Sequence, residues 1–170
     1  MFTFLSFWTL ALTSIDPLFL RMVGDWTGEG ERFFPQESRH THFMAKVSTL
    51  VEGDLLISQN EITETQVPTG PARTYSRVYW IRKKAGTPEL LYELGYGSTV
   101  TDSIAGEGKL EGNRFKMNQN MGGNPPLMFE SQTEFVSENE SLYVDTLQQG
   151  GGKLSSSHIK YLRTTLPKGP

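Results

Sequence analysis

The sequence predicts an all-β chain, a single closed antiparallel β-barrel of about eight to ten strands with a short plug helix at the N-terminal end. Three observations carry this. From residue 25 onward, apolar and polar residues alternate in runs of strand length, and turn residues separate the runs at even spacing. The stretch Gly24-Asp25-Trp26-Thr27-Gly28-Glu29-Gly30 puts Trp26, Gly28 and Gly30 on one strand face, with Asp25, Thr27, Glu29 and Glu31 on the other. Two glycines after a buried ring mark a bend, a bulge or a close backbone approach, as a strand curling into a small barrel needs. Finally, 170 residues without an internal repeat or a low-complexity tract make one domain.

In chain order, Asp16-Pro17 starts a helix, with a capping side chain followed by proline in the first turn. Leu18, Phe19 and Met22 give it an apolar face, so a short helix from about Pro17 to Met22 is expected to plug one barrel end. The first strand runs from Asp25 to Phe34 and stops at Pro35. Thr41 to Val51 is the second, with Phe43, Ala45 and Val47 on one face, and Glu52-Gly53-Asp54 turns into Leu55 to Thr65. After a Pro/Gly loop comes Thr74 to Lys83, with Val78 and Trp80 opposed to Tyr75, Tyr79 and Ile81. Glu89 to Gly97 follows, with Leu90, Tyr92, Leu94 and Tyr96 in phase, and then Thr99 to Leu110, bearing Gly106 and Gly108. Arg114 to Asn118, Leu127 to Ser137, Ser141 to Gln148 and Leu154 to Thr165 complete the set, with Gly150-Gly151-Gly152 as a flexible connection.

The net charge is −3, from 16 basic and 19 acidic residues, and no basic stripe stands out. Nucleic acid is therefore not an expected partner. With no cysteine, disulfides and thiolate metal sites are excluded. Residues 1–14 carry no charged side chain, and Phe2 to Leu12 is apolar apart from Thr3, Ser6 and Thr9. That is the length of a signal-peptide core and too short to span a bilayer. We read a signal peptide cleaved near Ser14, placing residues 15–170 in the periplasm or outside the cell. The alternative is an apolar arm on a cytoplasmic protein, since no Lys or Arg precedes the apolar run. Stable membrane insertion of the mature chain is not expected. Asn139-Glu140-Ser141 is a formal glycosylation sequon.

Gly24-Asp25-Trp26 resembles the Gly-x-Trp opening of the calycin superfamily, the lipocalin-like barrels. The longer pattern through Gly30 is similar to uncharacterised bacterial lipocalin-like domains and to nitrobindin-type haem barrels. In layout the resemblance spans residues 18–165. It implies a plug helix before the first strand and a cation from the last strand over Trp26; Arg163 is the expected partner and Lys160 the competitor. The nitrobindin resemblance implies haem as cofactor, held by His158 in His158-Ile159-Lys160-Tyr161-Leu162. Parity opposes this: if Ile159, Tyr161 and Arg163 face inward, His158 faces out.

Small barrels hold side chains or one small ligand. Polar residues interrupt several apolar phases: Gln59 and Glu61 after Ile57, Arg77 between Tyr75 and Tyr79, Ser131 and Thr133 between Phe129 and Phe135. If these face inward, the interior is a mixed cavity suited to binding a small hydrophobic molecule. The candidate lining residues are Phe43, Tyr75, Tyr79, Tyr92, Tyr96, Phe129 and Phe135. His40 and His42 share a strand face, and Glu37, Glu61 or His158 would have to complete a metal set; no metal is assigned. No Gly-x-Ser-x-Gly, P-loop or His-Glu-x-x-His motif occurs, so no catalytic residue is assigned. Gly28-Glu29-Gly30 and Gly106-Glu107-Gly108 do not precede helices, which removes a phosphate-loop reading. Glu61 with Glu64, or Glu93 with Asp102, are the carboxylate pairs an isomerase or lyase in the same cavity would draw on.

Overall fold

A computed structural model describes residues 16–86, 90–97 and 105–165. The segment read as a signal peptide lies outside the described residues. One helix, α1 (Pro17–Met22), precedes ten strands: β1 (Gly24–Phe34), β2 (Arg39–Glu52), β3 (Leu55–Gln66), β4 (Ala72–Lys83), β5 (Leu91–Tyr96), β6 (Gly106–Glu111), β7 (Arg114–Asn120), β8 (Leu127–Phe135), β9 (Glu140–Gln149) and β10 (Gly152–Thr165). Each strand pairs antiparallel with its sequence neighbours, and β1 pairs with β10 to close the barrel. A closed barrel leaves no sheet edge open to association.

Helix α1 forms where expected and for the expected reason. The Asp16 Oδ1 atom accepts a hydrogen bond from the Leu18 amide at 2.9 Å, and Pro17 takes the first helical position. Leu18 and Phe19 are buried beneath it, in a core cluster with Leu56, Ile81, Tyr92 and Phe115. This cluster fills the plugged end. A second cluster, of Phe43, Ala45, Ile62 and Ile159, lies against β1, β2, β3 and β10.

The glycines of β1 serve close approach. A side chain at Gly28 would run into the ring of Tyr161, and one at Gly30 into the backbone of His158 and Ile159. Tyr161 and the β10 backbone thus lie directly on the β1 backbone, which any larger residue would prevent.

Three expectations are corrected. The inner face of β3 is Leu56, Ser58, Asn60, Ile62 and Glu64, so Gln59 and Glu61 point outward and are exposed. Leu55-Leu56-Ile57 is apolar on both parities, so alternation alone does not choose. The tight Gly53 turn chooses, by pairing Leu55 with Glu52. The Gly150–Gly152 stretch is a defined hairpin: Gly150 and Gly151 have φ of +58° and +81°, and Gly152 already pairs with Gln149. Two consecutive residues with positive φ make the two-residue turn that matches strand twist. Strand β8 ends at Phe135, because the amides of Val136 and Ser137 turn back to the Glu140 carbonyl. In the sixth run the described strand begins at Gly106; residues 98–104, and Glu89 before β5, lie outside the described residues.

Candidate functional site

Between the plugged end and the opposite rim the barrel encloses a cavity of about 250 Å³. Its wall follows from strand parity. The inner face of each strand contributes every second residue, and the barrel brings together residues far apart in sequence. At the plugged end the floor is Met22 and Trp26. The Trp26 indole donates to the Met22 carbonyl at 2.9 Å, and the Arg163 guanidinium sits 4.4 Å from the ring centroid. Arg163 also donates to the Arg21 carbonyl at 2.7 Å, tying the last strand to the end of the helix. Lys160, the competing cation, points outward to Glu140 at 3.0 Å. At the opposite rim, Tyr96 and Met121 are half exposed, and the Tyr96 hydroxyl donates to Gln119 Oε1 at 2.7 Å.

Of the seven aromatic candidates, the structure places Phe43, Tyr79, Tyr96, Phe129 and Phe135 on the cavity wall. Two lie elsewhere. Tyr92 is fully buried in the core beneath α1, where its hydroxyl donates to Asp16 Oδ1 at 2.8 Å. Tyr75 packs against the second cluster, and its buried hydroxyl lies beside Arg32 without a formed hydrogen bond. Alternation gives the face of a residue but not its height along the barrel axis, which separates these two from the cavity.

Sequence reasoning missed the charged part of the interior. The face that carries Trp26, Gly28 and Gly30 continues to Arg32, whose side chain is only 15% exposed. Arg32 makes an ion pair with Glu64 on β3 and donates from Nε to Ser157 Oγ on β10 at 2.9 Å. Its Nη2 atom is 3.9 Å from Asp145 Oδ2, and the guanidinium stacks 5.2 Å from the Phe43 ring centroid. Burial works against the Arg32 charge, but Glu64 and Asp145 outweigh it and hold its pKa above the usual guanidinium range. Asp145 lies on the same face of β9 as Tyr143 and Leu147, a phase visible in the sequence, and its side chain is 4% exposed.

The phenols around the cavity are held neutral. Burial pushes Tyr143 and Tyr161 well above their ordinary value, and the nearby Asp145 carboxylate adds to this. Burial likewise raises Tyr79, opposed by hydrogen bonding from Ser58 and Asn60. The charged groups on the cavity wall are therefore Arg32, Arg77 and Asp145.

The histidines are not part of it. His158 faces solvent between Glu31 and Val144, on the outer face of β10, as its parity requires. His42 lies outside against Glu29 at 3.1 Å, and His40 stacks on Phe33 with ring centroids 4.6 Å apart. Haem inside the barrel would find no axial imidazole among the described residues, so the donor set does not fit the group that the nitrobindin resemblance implies. Among the described residues, no three His, Cys, Asp or Glu side chains come together to hold a metal. The carboxylate pairs also separate. Glu61 and Glu64 lie on opposite faces of β3, Glu93 pairs outward with Arg82 at 2.7 Å, and Asp102 lies outside the described residues.

No family model matches the chain. No curated protein matches it by sequence. Among solved structures, the barrel is similar to the S-type phycobiliprotein lyase CPES from Guillardia theta, with a TM-score of 0.62 over 87% of this chain and 91% of that one. The fold is a lipocalin-like barrel. At 11% identity the likeness extends to the fold and no further. Within this lipocalin-like barrel the cavity side chains are the chain's own.

Proposed function

We propose that this lipocalin-like barrel binds a small, largely apolar molecule in its central cavity. The observation that carries the reading is the cavity itself: about 250 Å³ left open between a filled plug end and the rim. Aromatic and aliphatic side chains dominate its wall, with a few placed polar groups, which is how small-molecule sites are built. Apolar burial at about 25 cal/mol per Å² supplies the affinity, and the polar groups set orientation. The fold shared with a protein named as a phycobiliprotein lyase supports a small-molecule role. Haem is not part of the reading, because the histidines point outward. Export to the periplasm or cell exterior remains part of it, on the sequence of residues 1–14 alone. No basic stripe suggests nucleic acid, and no described helix is long and apolar enough to cross a membrane.

The test uses the purified chain with N-phenylnaphthylamine, a neutral apolar fluorophore. Wild type should bind it with enhanced fluorescence. Met117→Trp, which fills the cavity from β7, should remain folded by circular dichroism and lose binding. Equal binding by both, or no binding by wild type of this or any other apolar probe, refutes the reading. A ligand at about a hundred times its dissociation constant should also raise unfolding free energy by about 2.7 kcal/mol.

A further inference from the structure

Five polar residues form one continuous row across the inner wall. Ser131 on β8 is paired in register with Asp145 on β9, and Asp145 with Ser157 on β10. Ser157 in turn is paired with Arg32 on β1, and Arg32 with Thr41 on β2. All five side chains face inward. Polar side chains lined up inside an apolar barrel should satisfy one another, because a buried donor or acceptor left without a partner is costly.

They do so only in part. Arg32 is committed to Glu64 and Ser157. The buried Thr41 hydroxyl has no hydrogen-bond partner, and the Ser131 hydroxyl lies beside the Tyr143 phenol without a fully formed bond. Among the described residues Asp145 accepts no hydrogen bond; its ion-pair partner there is the Arg32 Nη2 atom at 3.9 Å, too long for a hydrogen bond. The charge count is also unequal, with one guanidinium set among two carboxylates, Glu64 and Asp145. The cluster therefore holds one negative charge in excess, on a carboxylate that lines the cavity. The other cation on the wall, Arg77, is an exposed residue whose charge water screens.

We propose that this row is the head-group subsite of the cavity, and that its ligand is a small apolar molecule carrying a protonated amine or an equivalent N–H donor, received by Asp145. This rests on the reading of the cavity as a small-molecule site and adds the chemical class of the molecule. An ammonium supplies the positive charge the cluster lacks and the donors that Asp145 does not find among the described residues. A second donor or acceptor on the same head group reaches the adjacent Ser131 hydroxyl. An anionic head group at Asp145 would face the excess negative charge of this cluster, so the subsite discriminates against it.

Three probes of equal chain length separate the possibilities: octylammonium, octanol and octanoate, titrated calorimetrically into wild type and Asp145→Asn. The expected result is octylammonium binding at least tenfold tighter than octanol, about 1.4 kcal/mol, with octanoate weakest. Asp145→Asn keeps the side-chain shape and should erase the preference while leaving octanol affinity within about twofold, judged against the same scale. Octanol equal to octylammonium in wild type would mean that the row only holds water, and would overturn the proposal. Octanoate as the tightest ligand would overturn it too, in favour of Arg77 as the recognition group. Either outcome leaves the cavity reading standing. That reading fails separately if neither the alkyl probes nor the neutral naphthylamine bind, and the subsite fails with it.

Discussion

The plugged end and the polar row meet the same physical problem to different degrees. Both place polar groups inside an apolar barrel. At the plugged end most of the geometry is closed: the Trp26 indole and the Arg163 guanidinium reach helix carbonyls, and Tyr92 reaches the Asp16 oxygen that also caps the helix, while Asp16 Oδ2 faces Lys83 Nζ at 3.6 Å and Arg163 Nε stays without a partner among the described residues. Along the row the geometry is open: the Ser131 and Thr41 hydroxyls lack formed hydrogen bonds, and among the described residues Asp145 has only the Arg32 guanidinium, at 3.9 Å. An orphaned buried polar group costs on the order of 1–3 kcal/mol. A protein that resolves most of the cost at one end and retains it beside a cavity has put the second set where something else can satisfy it.

The largest effect should come from breaking the closed end. Phe19 is 5% exposed in the plug cluster, and Phe19→Ala should lower unfolding free energy by about 3–5 kcal/mol in urea denaturation. High pH should strain both regions together. Tyr92, Tyr143 and Tyr161 all have phenols raised above the ordinary value of 10.0, chiefly by burial. In the unfolded chain they ionise near that ordinary value, so the folded state retains protons that the unfolded state loses. Stability is then fully present below about pH 10 and declines above it, by about 1.4 kcal/mol per pH unit for each phenol kept neutral. Denaturation midpoints that stay level from about pH 9 to about pH 11 would contradict the burial of these phenols.

Glu64→Gln sharpens the comparison from the other side. It leaves Arg32 with a neutral partner, and the partly wet site should limit the loss to about 1–2 kcal/mol, below the full cost of breaking a buried pair. The same change makes Asp145 the nearest counter-charge of Arg32, so octylammonium affinity should fall more than octanol affinity. Smallest of all should be Tyr96→Phe at the rim. It removes one hydrogen bond to Gln119 from a half-exposed residue and should cost about 0.5–1 kcal/mol.

The architecture was legible because it depends on period and punctuation, which are local. Helix α1, the run of strands and the Trp26, Gly28, Gly30 face all follow from adjacent residues. The site was legible in halves. Phe43, Tyr79, Tyr96, Phe129 and Phe135 follow from parity, yet Tyr92 shares its parity with Tyr96 and serves the core instead. What divides them is height on the barrel axis, set by strand tilt and register, and no single strand encodes that. Arg32 was one step beyond the last glycine on a face already traced. It was missed because a lone arginine on a strand suggests solvent, and only Glu64 and Asp145, from β3 and β9, make burial tolerable. For His158, two signals disagreed. The family likeness put it inside, its parity put it outside, and the structure follows the parity.

The seam between β1 and β10 bears on how the barrel folds. Every other strand pair joins sequence neighbours, whereas this one joins Asp25 to Thr165, with Thr165 Oγ1 donating to Asp25 Oδ2 at 2.5 Å across a separation of 140 residues. The nine hairpin contacts form from short loops, but the seam must wait until the whole sheet has curled, because closing so long a loop carries the largest entropic cost. Ring closure is then expected to be the slow step of folding, which stopped-flow refolding of a β1–β10 seam variant checks. A circular permutant that links residue 165 to residue 16 and opens the Gly150–Gly151 turn keeps α1, makes the β1–β10 seam local and passes the long-range closure to β9–β10, so the late step should move to that pair.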